Sequence, residues 1–156
     1  MIRGYCLGAG VNIANVCDLR IAGDDARFGI PAAKMGLGYR ASSMKNLVDT
    51  VGAPYAREIM ITGRQFTAQE AKDMGLVHHV VLAADLERFT REYCAQIAAN
   101  APLTMRAAKR IIREVLKKDY DAALCKTWVR ECFESEDYAE GRKAFMEKRK
   151  AVFKGK

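Results

Sequence analysis

No apolar run in this chain approaches the roughly 20 residues needed to cross a bilayer, so no membrane span is expected. The opening Met1-Ile2-Arg3-Gly4-Tyr5 also lacks the form of a secretion signal, because Arg3 and Gly4 interrupt its short apolar part at once. A soluble, cytoplasmic chain is the expectation. Histidine is scarce, confined to the adjacent pair His78 and His79. The five cysteines (Cys6, Cys17, Cys94, Cys125, Cys132) are odd in number and irregularly spaced, with no C-x-x-C and no histidine beside them. That excludes a disulfide framework and a zinc site, leaving reduced thiols and no metal as the expectation. There is no linker, low-complexity tract or internal repeat.

What is present is enough for one sizeable core. The chain has 156 residues, 50% of them hydrophobic, and a domain of this length hides roughly 68–70% of the surface of its unfolded chain. Net charge is +7, from 26 basic and 19 acidic side chains. From Arg106 onward 15 basic residues face 9 acidic ones, so +6 of the total lies in the last third. A basic end attracts nucleic acid, an acidic membrane surface or a polyanionic small molecule. Nucleic acid is disfavoured, since no aromatic platform, zinc finger or helix-turn-helix pattern accompanies the charge.

Patterning predicts an α+β segment followed by a helical tail. Residues 4–12 read as a short buried strand and turn, leading into a helix to about Val16. Leu19–Ala22 and Arg27–Ile30 read as strands, the second closed by Pro31. Helical spacing covers 41–51 and 54–62. Thr67-Ala68-Gln69-Glu70 is a capping box with Gly75 placed as the stop. A strand over 76–81 would send His78 and His79 to opposite faces, where they cannot share a metal. Helices are then expected at about 85–99, 103–118, 120–133 and 136–150. The second of these carries an apolar stripe of Met105, Ala108, Ile111, Ile112, Val115 and Leu116.

The small residues Gly8, Ala9 and Gly10 lead into an amphipathic run. On their own they read either as a tight turn beside a packed helix or as a loop whose backbone N–H groups hold an oxyanion. A lone G-x-G does not decide between the two. The continuation is more specific. "GYCLGAGVNIANVCDLRIAGDDARFGIP" resembles the "GYxxGGGxxLAxxCDxxxAxxxAxFGxPE" block of the crotonase superfamily, which includes enoyl-CoA hydratases and isomerases. The resemblance runs to Lys156.

The resemblance implies a crotonase (ClpP/crotonase-type) ββα spiral, here truncated at the N-terminus and ending in trimerisation helices. Residues 1–82 would be the C-terminal part of the spiral core, and 83–156 a helical region for oligomerisation and CoA contact. The implied partners are an acyl-CoA thioester, with coenzyme A as the substrate carrier and no separate bound cofactor, and further copies of the chain in a homotrimer or dimer of trimers.

Site residues follow position by position. Ala9 stands at the second glycine of the G-G-G turn, whose backbone N–H donates to the thioester oxygen of an enolate; the partner donor of that hole lies in the family's N-terminal part. One such donor is worth roughly 2.7–4 kcal/mol of transition-state stabilisation. Alanine keeps the donor but tolerates left-handed backbone angles less well than glycine. Asn12 and Ala32 stand where family hydratases carry their two glutamates. Asparagine hydrogen-bonds without exchanging a proton near neutral pH, and alanine does neither. Hydration needs a titratable group in reach, so standard hydration is not expected.

Met35-Gly36-Leu37-Gly38-Tyr39 resembles the "LGxPY" segment of methylmalonyl-CoA decarboxylases. Decarboxylation makes the enolate directly and needs no pair of glutamates. Tyr39 is therefore either a catalytic group near the departing carboxylate or an aromatic packed beside a glycine-rich turn. Phe153 and Lys154 belong either to a solvated basic helix end or, as the family implies, to the CoA pocket, with Lys154 toward phosphate and Phe153 near adenine. Three functions stay open: an enolate-stabilising acyl-CoA enzyme with a decarboxylase preference, a non-catalytic CoA-binding or assembly subunit, and an inert truncated fragment.

Overall fold

A computed structural model describes residues 1–156, which form two compact units, Met1–Arg91 and Glu92–Lys156. The first contains β1 (Tyr5–Leu7), α1 (Ala9–Asn15), β2 (Ile21–Gly23), β3 (Arg27–Gly29), a 3-10 turn at Pro31–Met35, α2 (Ala41–Thr62), β4 (Phe66–Thr67), α3 (Ala68–Asp73) and β5 (His79–Val81). Its strands make two small sheets. In one, β3 lies between β1, parallel to it, and β4, antiparallel to it; in the other, β2 pairs parallel with β5. Strands of two or three residues have few ladder bonds to hold them. Val11, Phe28, Ile30, Leu47, Ile59 and Phe66 supply the cohesion, each almost fully buried in one cluster. Burying a side chain of this size is worth about 1.5–3 kcal/mol.

The expected helices at 41–51 and 54–62 are both present, joined end to end in α2. Gly52 breaks the helical path with φ 75° and ψ 163°, two residues before Pro54. The capping box also forms. Thr67 Oγ1 accepts from Glu70 N at 3.2 Å, and the Glu70 carboxylate accepts from Thr67 N at 2.7 Å and Arg64 at 2.8 Å. Those donors hold the Glu70 carboxyl down at about 2.

The strand expected over 76–81 begins only at His79. Leu76 and Val77 are buried, but both donate their N–H groups to Ala71 O, so the end of α3 keeps them out of the ladder. His78 accepts from Arg20 N through Nδ1 at 3.1 Å, and burial lowers its imidazole below the usual value. His79 stacks obliquely with Phe89, the ring centroids 5.5 Å apart.

The helix α4 (Leu86–Ala98) runs from the first unit into the second, which then holds α5 (Pro102–Val115), α6 (Ala122–Phe133) and α7 (Glu136–Met146). Asp121 and Ser135 cap α6 and α7 by accepting from Leu124 N and Tyr138 N. The apolar stripe expected on α5 is only partly covered. Met105 and Ile111 are half-buried, Ala108, Ile112, Val115 and Leu116 are exposed, and the buried positions are Ala107 and Glu114. Glu114 is inside because its carboxylate accepts from Lys117 at 2.6 Å and from Asp121 N at 3.1 Å, fixing the link to α6.

The last helix stops at Met146 rather than near 150. Lys148 takes φ 53°, and the remaining residues turn back along α7. Arg149 pairs with Glu140, whose carboxyl it holds at about 2, and Asp137 accepts from the N–H groups of Lys154 and Gly155 at 2.6 and 2.8 Å. No helix is long and apolar enough to cross a membrane.

A Cβ added at Gly29 would stand 2.7 Å from Arg64 O and 3.4 Å from Gln65 Cα, both backbone atoms. Gly29→Ala is therefore expected to lower unfolding free energy by about 1–3 kcal/mol in urea titration. Gly38→Ala, which meets open space, should stay within about 0.5 kcal/mol of the parent. Equal midpoints for the two variants would contradict this packing.

Candidate functional site

The turn between β1 and α1 gathers three of the candidates. Gly8 adopts φ 53° and ψ −111°, a region that side chains disfavour, and its N–H donates to Gly29 O at 2.8 Å. That bond ties the turn to the end of β3, where Leu7 and Gly29 are register partners. Ala9 follows as the exposed first residue of α1. The strain anticipated at Ala9 does not arise. Lys148 is the one non-glycine residue with positive φ, and Gly8 absorbs the turn. The Ala9 N–H sits at the first helical position, where no intrahelical carbonyl exists to accept it. With only seven residues, α1 has a small dipole, so the donor acts as a single N–H.

The carbonyl on the other edge of the same peptide, Gly8 O, accepts from Asn12 N at 3.3 Å and from the Tyr39 hydroxyl at 3.4 Å. Burial pushes the Tyr39 phenol above its ordinary value. The phenol is thus protonated near neutral pH and acts as a donor.

Asn12 Oδ1 is buried without a partner. One turn further along α1, both polar atoms of Asn15 are buried and unpartnered as well. Leaving such a group unsatisfied costs about 1–3 kcal/mol. Asn15 was not anticipated as part of this cluster. Its i,i+3 spacing from Asn12, which puts both on one helical face, was the available signal.

Ala32 is 2% exposed and sits in the core cluster of the same unit. Its contribution is main-chain: Ala32 O accepts from Leu37 N at 3.0 Å, closing the turn that leads from Pro31 toward Tyr39. Neither residue 12 nor residue 32 offers a group that titrates near neutral pH. The arrangement can donate a hydrogen bond to an oxygen gaining negative charge, but these two positions cannot move a proton.

Phe153 and Lys154 lie in the second unit. The Phe153 ring covers Gly141, its Cε1 3.5 Å from where a Cβ would stand, and borders an apolar groove of about 610 Å³ with Ala107, Ile111, Phe133 and Tyr138. The Lys154 side chain is exposed while its N–H is held by Asp137. Asp137, 3% exposed, is the anchor that sequence reading missed. Its role depends on the tail folding back, which no local pattern encodes.

A family model described as enoyl-CoA hydratase/isomerase matches residues 1–156. The chain is 36% identical over 163 residues to the 2,3-dehydroadipyl-CoA hydratase of Escherichia coli (strain K12), covering 99% of this chain and 62% of that protein. It is 35% identical over 151 residues to the short-chain-enoyl-CoA hydratase of Clostridium acetobutylicum, covering 96% and 58%. Among solved structures, an enoyl-CoA hydratase from Bacillus anthracis superposes with a TM-score of 0.87 at 33% identity, over 98% of this chain and 60% of that one. An enoyl-CoA hydratase/carnithine racemase from Magnetospirillum magneticum gives 0.90 at 31%, over 98% and 57%. The chain thus spans about 60% of the length of the relatives it matches. It has the crotonase fold and belongs to the enoyl-CoA hydratase/isomerase family.

Proposed function

We propose that this chain binds acyl-CoA thioesters and stabilises a thioester enolate through the Ala9 N–H, with decarboxylation of a short malonyl-type acyl-CoA as its reaction and hydration absent. The observation that carries this reading is the Gly8–Ala9 peptide, held on its carbonyl edge while its N–H stays without an intrahelical acceptor. Loss of carbon dioxide breaks the bond to the departing carboxylate and leaves its electron pair on the α-carbon and thioester oxygen. The Ala9 N–H would meet the charge on that oxygen. Asn12 and Ala32, in the positions where the resembling motifs carry glutamates, favour a reaction that starts without proton transfer by the enzyme. Coenzyme A is read as the carrier, with Lys154 toward phosphate and Phe153 near the adenine. A non-catalytic CoA-binding subunit is the second reading, favoured by the same two residues.

We also infer self-association through the second unit, as a trimer or a dimer of trimers. Ile112, Leu116, Phe145 and Met146, on or beside α5 and α7, are each at least 60% exposed, which makes these helices the candidate surface for a partner copy.

Three outcomes check these readings. Crotonyl-CoA hydration should be negligible while malonyl-type acyl-CoA loses carbon dioxide; robust hydratase turnover would overturn the assignment, and saturable acetyl-CoA binding without turnover would select the non-catalytic reading. Tyr39→Phe should slow decarboxylation about tenfold or more, equivalent to roughly 1.4 kcal/mol of transition-state stabilisation. Light scattering at micromolar concentration should show an assembly, and a strictly monomeric, folded protein would refute self-association.

A further inference from the structure

The hydroxyl of Tyr39 carries one proton, and the structure spends it on a carbonyl of the chain itself. That carbonyl, Gly8 O, belongs to the same peptide unit as the Ala9 N–H. A trans peptide is planar, with its C=O and N–H pointing in opposite directions. Whatever fixes the carbonyl edge therefore fixes the direction of the N–H on the other edge. Donation to the carbonyl also polarises the N–H, since hydrogen bonds in series strengthen one another.

The plane would otherwise be loosely held. Gly8 has the widest conformational freedom of any residue type. Its own N–H, bound to Gly29 O at 2.8 Å, restrains the preceding peptide but not this one. Gly8 O takes two donors of comparable length, Asn12 N at 3.3 Å from within α1 and the Tyr39 hydroxyl at 3.4 Å. Tyr39 comes from a separate segment after the 3-10 turn, so it restrains the plane independently of α1.

Resting on the enolate-stabilising reading above, we propose that Tyr39 is a positioning residue rather than a catalytic one: its hydroxyl, together with Asn12 N, restrains the Gly8–Ala9 peptide plane and so helps aim the Ala9 N–H at the thioester oxygen, without touching substrate.

The test reads the peptide directly, in the free protein. In nitrogen- and carbon-labelled protein, Tyr39→Phe should move the carbonyl-carbon resonance of Gly8 and the amide-nitrogen resonance of Ala9 in the sense of a lost hydrogen bond. The amide of Ala107, in the other unit, should not move. A hydroxyl that serves only to contact substrate would leave both resonances where they are, and unchanged Gly8 and Ala9 resonances in Tyr39→Phe would overturn the proposal. Because no substrate is present, the result is independent of turnover. Shifted resonances in a protein with no decarboxylase activity would sink the functional reading and leave the positioning role standing.

Discussion

The candidate site depends on one constraint, the left-handed turn at Gly8 anchored to Gly29. Sheet pairing sets Leu7 against Gly29, the next residue's N–H closes onto Gly29 O, and α1 must then start at Ala9. Both glycines are needed for separate reasons. Gly8 takes a backbone angle that a side chain resists, whereas Gly29 lies too close to Arg64 O to carry a Cβ. From that anchor the Ala9 N–H, the Asn12 N–H and the Tyr39 hydroxyl take their places around a single peptide group.

Much of this was legible in the sequence because the informative signals are local. Turn residues, the capping box at Thr67 and Glu70, and the helical spacing on either side of Gly52 all act within a few positions. Each reappears in the structure. The assignment of site roles to Asn12, Ala32 and Tyr39 came from resemblance, and the convergence of Asn12 N and the Tyr39 hydroxyl on Gly8 O emerges only in three dimensions. What escaped was set by distant groups. The strand after Gly75 is short because Leu76 and Val77 are tied to Ala71, and Asp137 gains its importance from a tail seventeen or more residues further on. Glu114, one position before Val115 on the expected apolar stripe, is buried because the neighbouring link supplies donors.

The two units divide their chemistry differently. The first is cohesive through aliphatic and aromatic burial, and it leaves Asn12 Oδ1 and both polar side-chain atoms of Asn15 buried without a partner. Polar atoms left unsatisfied inside such a core are the usual mark of a place kept for something other than stability. The second unit is tied by carboxylates: Glu114 to its link, Glu140 to Arg149 and Asp137 to the backbone of the C-terminal residues. Those ties fix Phe153 over Gly141 and leave the side chain of Lys154 in solvent.

The central claim is that the Ala9 N–H meets the oxygen of a thioester. Infrared difference spectroscopy of acetyl-CoA labelled at its carbonyl carbon observes that oxygen without requiring turnover. On binding, the thioester carbonyl band should fall below its frequency in water, as a polarised C=O does when it accepts a strong hydrogen bond in a site with less water. A bound ligand whose carbonyl band stays at or above its aqueous position would contradict the account.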